Sequence, residues 1–303
     1  MRVTANMSAD NSLYNIQQGR ARLDKLQESI SSEQNVNRPS DDPVSSRVLL
    51  ELGDKLKSID QHSSNINKAT SWLKFTSTAV QGMSDILSLA KKVAGTINTG
   101  SSDPSIRQSV NDQLVDLKKQ LVEMANTQFG DQYIFAGADN VTAPFNNTNN
   151  VYDGDSTQMS IEIARNASHG LNITGDRLLK GTGASPSYGS IDILQTFDDL
   201  IAAVGDSVTP SNPTVISSSL VNLQDGVKQL NIATSDILSR LTRLDNMDKL
   251  NENNKNILLS IASGIQEVDL AKMGVEQNKQ QIAFEASLSS TARLSKLSLL
   301  DFL

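Results

Sequence analysis

A seven-residue apolar repeat constrains this chain more than any other feature. Leu52, Ile59, Ile66, Leu73, Val80, Leu87 and Ala94 recur at every seventh position, with His62, Ala69, Thr76, Met83, Ala90 and Ile97 three places after six of them. Apolar residues alternately four and three apart line one stripe of an α-helix. A helix over 44–98 carrying that stripe would be about 80 Å long at 1.5 Å per residue. It cannot bury the stripe on itself. It needs partner helices of similar length.

The chain supplies them. Val110, Leu114, Leu117, Leu121 and Met124 keep the same spacing, as do Ile216, Leu220, Leu223, Val227, Leu230, Ile237, Leu241 and Leu244, interrupted by Thr234. A polar cap followed by proline opens each helix: Asp42-Pro43, Asp103-Pro104 and Asn212-Pro213. The stretch Asn98-Thr99-Gly100-Ser101-Ser102 separates the first helix from the second. The two ends carry stripes of their own. Ile16, Gly19, Leu23, Leu26 and Ile30 form one. Val268, Ala271, Val275, Ile282, Ala286 and Ser289 form a small-residue seam, before a close on Leu294, Leu297, Leu299, Leu300, Phe302 and Leu303. So apolar a terminus reads as a surface for a partner.

From Tyr133 to about Gly189 the helical period disappears. Tyr133-Ile134-Phe135 and Met159-Ser160-Ile161-Glu162-Ile163 read as short strands, among turn residues such as Asn146-Asn147, Asp153-Gly154, Gly170 and Gly175-Asp176. The expected fold is therefore mainly α: a long helical rod or coiled-coil bundle built by the N- and C-terminal segments, with a small β-rich insertion. Its expected divisions are 1–43 with 267–303 as an inner terminal coiled coil, 44–132 with 190–266 as a helical rod, and 133–189 as the insertion.

Composition removes most chemistry. With no cysteine, disulfides, thiolate metal sites and thiol catalysis are excluded, and two histidines cannot build a multi-His metal centre. A net charge of −7 argues against a broad grip on nucleic acid or an anionic membrane. No apolar run reaches the roughly 18 residues of a membrane span. The opening residues lack the apolar core of a cleaved secretory signal. Asp153-Gly154-Asp155-Ser156 opens like a calcium loop but lacks its later ligands, and reads as a turn. Asp41-Asp42 reads as a helix cap rather than a carboxylate pair, and His62 and Trp72 as packing residues of the seam. His169 reads as a turn residue, and Gly181-Thr182-Gly183 is no phosphate loop. No catalytic residue, metal site or cofactor site can be named, and no enzyme is expected.

Several separated segments resemble the bacterial flagellin family, and within it the proteins of the hook–filament junction. They are Ile30-Ser31-Ser32 through Asn37-Arg38-Pro39-Ser40-Asp41-Asp42-Pro43, then Phe129-Gly130 with Tyr133-Ile134-Phe135-Ala136-Gly137. Ile265 to Ala271, Ala283-Phe284-Glu285-Ala286-Ser287 and the ending Ser298-Leu299-Leu300-Asp301-Phe302-Leu303 complete the set, in family order. Glu33-Gln34 departs from the pattern, since relatives often carry Gly and a basic residue there.

The resemblance implies a structural subunit, exported through the flagellar type III channel without signal cleavage. It implies a ring of like subunits between hook-associated protein 1 and flagellin, a cytoplasmic export chaperone, and no membrane insertion. Its physical counterpart is an assembly interface. Ile16, Leu23 and Ile30 are expected to pair with Val275, Ile282 and Ala286, leaving Leu297, Leu299, Leu300 and Phe302 for neighbouring subunits. Each such side chain contributes about 1.5–3 kcal/mol when buried, before ordering entropy is deducted. The turn Asn37, Arg38, Pro39, Asp41, Asp42 and Pro43 is expected to set the angle between inner and outer domains. The competing readings are a short flagellin and a soluble coiled-coil binding or signalling module.

Overall fold

The computed structural model describes the backbone at residues 5–98, 103–146, 150–182, 188–206 and 211–300, and side chains at 10–97 and in the later spans as far as 293. It is mainly α-helical. Six α-helices are described: α1 (Ala5–Ser32), α2 (Pro43–Asn98), α3 (Pro104–Ala125), α4 (Ile193–Val204), α5 (Pro213–Gln266) and α6 (Leu270–Leu300). Two small hairpins, β1 (Gln128–Phe129) with β2 (Gln132–Tyr133) and β3 (Ser160–Ala164) with β4 (Ala167–Gly170), lie between α3 and α4. Contacts divide the chain into two compact units, Met1–Ser58 with Asn253–Leu303, and Ile59–Glu252.

The capping residues read from sequence do their work. Asp42 Oδ1 accepts from the N–H groups of Val44 (3.0 Å) and Ser45 (3.1 Å), and Asp103 Oδ1 from that of Ser105 at 2.9 Å. Proline then occupies the next position, where its missing N–H costs no intrahelical bond.

In the unit Ile59–Glu252, the seven-residue stripes become the core. Ile66, Leu73, Val80, Leu87 and Ala94 of α2 are buried with Val110, Leu114, Leu117 and Leu121 of α3 and Ile216, Leu223, Leu230, Ile237 and Leu244 of α5. The polar seam position Thr76 is satisfied locally, its hydroxyl donating to Trp72 O at 2.9 Å. Met124 departs from its expected place and is exposed, while Val122 and Ala125 are buried. α4 was not distinguished from the rod in sequence. Its Ile193, Leu194, Phe197 and Leu200 are buried, between an N-cap at Asp192 and Gly205. Gly226 lets three helices converge, since a β-carbon there would stand 3.1 Å from Leu87 Cδ2 of α2 and 3.2 Å from Ile193 Cγ1 of α4.

The insertion holds less sheet than its sequence suggested. Strand character ends at Tyr133, and Ile134, Phe135 and Ala136 instead form a buried segment. Its carbonyls accept from Gly175 N (to Phe135, 2.9 Å) and Asp155 N (to Ala136, 2.8 Å). The β3–β4 hairpin is antiparallel, with Ser160 opposite Gly170, a bulge between Glu162 and Ala164, and left-handed Asn166 (φ +62°) in the turn. Polar side chains attach this material to the helices. Gln229 of α5 donates to Leu178 O (2.9 Å) and Ile191 O (3.2 Å) and accepts from Ile191 N (3.1 Å). Asn65 of α2 donates to Glu162 O at 2.8 Å, and Asn251 of α5 to Ile163 O at 3.3 Å.

Candidate assembly surface

In the unit Met1–Ser58 with Asn253–Leu303, α1 packs along α6. The α1 face is the one read from sequence: Ile16, Gly19, Leu23, Leu26 and Ile30 are half-buried, and Ser29 is buried beside them. The α6 face is not. Val275, Ile282 and Ala286 were expected against α1, but Val275 is 56% and Ile282 68% exposed, and Ala286 is exposed as well. Among the described residues of α6, the half-buried side chains are instead those of Met273, Gln277, Gln280, Phe284, Ser287 and Thr291. At 100° per residue these lie on the opposite side of the helix from Val275, Ile282 and Ala286. Phe284 and its polar companions meet α1, and the small-residue seam faces outward.

An outward row of Ala271, Val275, Ile282 and Ala286 gains nothing for the isolated chain. Of the remaining expected interface residues, Leu297, Leu299 and Leu300 fall outside the described side chains, and Phe302 lies outside the described residues.

The segment between α1 and α2 is tied down at both sides. Lys25 pairs with Asp41 and Arg38 with Glu28, each at 3.0 Å, linking α1 to the turn. Arg38 N donates to Asp41 Oδ2 at 3.0 Å, and Asp41 N donates to Arg38 O at 2.9 Å. The Lys25 ammonium holds the Asp41 carboxyl below its ordinary range, and the Ser45 hydroxyl and N–H do the same for Asp42. The whole turn lies inside the unit of the chain ends. Beside it, Gln34 forms an antiparallel bridge with Glu267, and Asn35 N donates to Gln266 O at 2.8 Å. The break between α1 and α2 is thus joined to the break between α5 and α6. Sequence gave no sign of this link, because one bridge has no periodicity.

The other residues weighed for chemistry have structural surroundings. Asp155 accepts from the N–H (3.1 Å) and hydroxyl (2.9 Å) of Thr157, and Asp153 N donates to Pro144 O at 2.9 Å. His62 is buried in the seam and His169 in β4. Among the described residues, no three His, Asp or Glu side chains gather as a metal-ligand set, and no helix is long and apolar enough to cross a membrane.

Paired terminal helices with an outward apolar row, a helical core and a β-bearing insertion define the flagellin-like class of fold. Residues 3–140 match the family model of the bacterial flagellin N-terminal helical region. The chain is 23% identical over 312 residues to flagellar hook-associated protein 3 of Escherichia coli K12, spanning 99% of this chain and 98% of that one. It is also 23% identical over 304 residues to flagellin of Bacillus subtilis 168, spanning 98% and 97% of the two chains. Among solved structures, a putative flagellar hook-associated protein from Vibrio parahaemolyticus has the same fold. Its TM-score is 0.67 at 23% identity, covering 75% of this chain and all of that one. Flagellar hook-associated protein 3 of Legionella pneumophila superimposes with a TM-score of 0.61 at 15% identity, over 71% of this chain and 98% of that one.

Proposed function

We propose that this chain is a structural subunit of the bacterial flagellum, forming the ring that joins hook-associated protein 1 to the flagellin filament. The reading is carried by its end-to-end similarity to a flagellar hook-associated protein 3. The exposed row on α6 supplies a physical reason for assembly: a monomer leaves Val275 and Ile282 in water, and a ring of like subunits buries them. The role is mechanical rather than enzymatic.

In this reading, residues 1–43 with 267–303 form the inner terminal coiled coil. Residues 44–132 with 190–266 form the rod, and 133–189 form the outer insertion. Ile16, Leu23 and Ile30 hold α6 in place, and Val275, Ile282 and Ala286 meet neighbouring subunits, together with Leu297, Leu299, Leu300 and Phe302. The segment Asn37–Pro43 positions α1 against the start of α2. The subunit acts outside the cell after export through the flagellar channel, escorted beforehand by a cytoplasmic chaperone that binds the apolar C-terminal end.

Deleting the coding sequence tests the reading. The expected strain builds hooks, releases flagellin into the medium and makes no filaments, and a plasmid copy restores them. Normal filaments in the deletion strain overturn it. The similarity to Bacillus subtilis flagellin supports a second reading, a short filament subunit. Purified protein that polymerises by itself into long filaments would favour that reading.

A further inference from the structure

We propose that the β3–β4 hairpin is fastened to α5 by an acid-sensitive latch, in which protonation of His169 releases the hairpin. His169 sits in β4 opposite Ile161, only 6% exposed, and its Nε2 has no hydrogen-bond partner. The latch itself is Arg240 of α5. Its Nη1 donates to Gly170 O and Asn172 O, both at 3.2 Å, and its guanidinium pairs with Asp236 at 2.8 Å. Asp236 also accepts from the Tyr188 hydroxyl at 2.7 Å, so the one carboxylate at this place already serves two donors.

The charge balance makes the arrangement sensitive to a proton. The groups acting on His169 are Arg243, Arg240 and Asp236, all from α5. Glu162 of β3, Arg165 of the hairpin turn, and Asp60 and Lys68 of α2 are exposed to solvent, which screens them. Burial first, then the two arginines, hold the imidazole below its ordinary value of 6.5, which favours its neutral form in the closed hairpin. A proton on His169 places a third cation beside Arg240, which is largely shielded from water, and the more exposed Arg243. Opening the hairpin hydrates the imidazolium and relieves the repulsion.

The sign follows from linkage. The folded value lies below the open-state value of 6.5, so the open hairpin binds the extra proton. Closure is at full strength above 6.5 and weakens as pH falls toward the lowered value, the open population rising by at most about tenfold per pH unit within that window. The device concerns the insertion alone and does not depend on the proposed flagellar role.

Hydrogen exchange on the full-length protein between pH 7.5 and 5, corrected for intrinsic rates, tests it. Protection at 160–170 should fall with pH while protection at 110–122 in α3 holds. His169→Gln should remove the pH dependence at the hairpin, and His62→Gln should leave it intact. Arg243→Gln, which removes a repulsive neighbour, should shrink the effect and keeps the test available if His169→Gln does not fold. Loss of protection that persists in His169→Gln, or no loss in the unaltered protein, overturns the proposal. So does a His169 titration by NMR at or above 6.5.

Discussion

Gly19 of α1 faces Phe284 of α6 so closely that a β-carbon at Gly19 would stand 3.2 Å from Phe284 Cδ2. A glycine inside a helix is unfavourable by about 1 kcal/mol relative to alanine. Here the missing side chain makes room for the ring, the largest apolar group on the α1-facing side of α6. Gly19→Leu forces the helices apart, with an expected destabilisation of about 1–3 kcal/mol from overpacking. Hydrogen exchange should show loss of protection in α1 and α6 and little change at 107–125. Unchanged protection of α1 would refute the close-approach account.

The two sides of α6 should respond in opposite ways. Ile282→Asp changes an exposed position and should move monomer stability by no more than about 0.5 kcal/mol. It should nevertheless abolish filament attachment in a complementation assay. Phe284→Ala removes half-buried apolar surface and should cost the monomer about 1–2 kcal/mol. Urea unfolding beside the motility assay separates them. Full motility with Ile282→Asp would remove the outward row from the assembly surface.

Gln229 of α5 satisfies the Leu178 carbonyl of the insertion and both the carbonyl and the N–H of Ile191 just after it. Gln229→Ala leaves the buried Leu178 carbonyl and the half-buried Ile191 groups without this partner, with an expected loss of about 1–3 kcal/mol. The loss should be read first as faster exchange around Leu178 and Ile191. A loss spread evenly over the core would instead mean a packing role.

Glu33 follows the last residue of α1 with φ +55°, the left-handed conformation in which glycine commonly ends a helix. Glu33→Gly should stabilise the protein by up to about 1 kcal/mol, the relief of strain exceeding the added freedom of the unfolded chain. Chemical denaturation measures it. Destabilisation would show that the glutamate side chain matters more than its backbone angle.

The Asp42 cap should depend on pH. Hydrogen bonds from the Ser45 hydroxyl, then the Ser45 and Val44 N–H groups, favour the carboxylate and lower its folded value below 3.8. Its stabilisation is therefore present above 3.8 and lost as pH falls through the folded value. Asp42→Ala should lower the melting temperature at neutral pH, and the gap from the unaltered protein should close in strong acid. A gap independent of pH would mean that the carboxylate charge is not the origin.

Much of the fold was legible because burial repeats. Leu73, Val80 and Leu87 announced one face of α2 at fixed spacing, and Asp42, Asp103 and Asn212 before prolines marked where helices begin. Local chemistry is sufficient for both. α4 was hidden because twelve residues between loops are too few for a sustained repeat to emerge. Gln229, Asn65, Asn251 and Arg240 were hidden for another reason: a polar residue in a helix reads as solvent-facing until the partner carbonyls arrive from distant parts of the chain.

Sequence by itself determined that α1 and α6 each carry an apolar stripe. Only the tertiary structure decided which side of α6 meets α1. A helix with Phe284 on one side and Val275 and Ile282 on the other can present either to its partner, and periodicity is blind to that choice. Gly19 settles it sterically, because it leaves a hollow that a phenyl ring fills better than Val275 or Ile282, and so the row that a neighbouring subunit would cover is left in water.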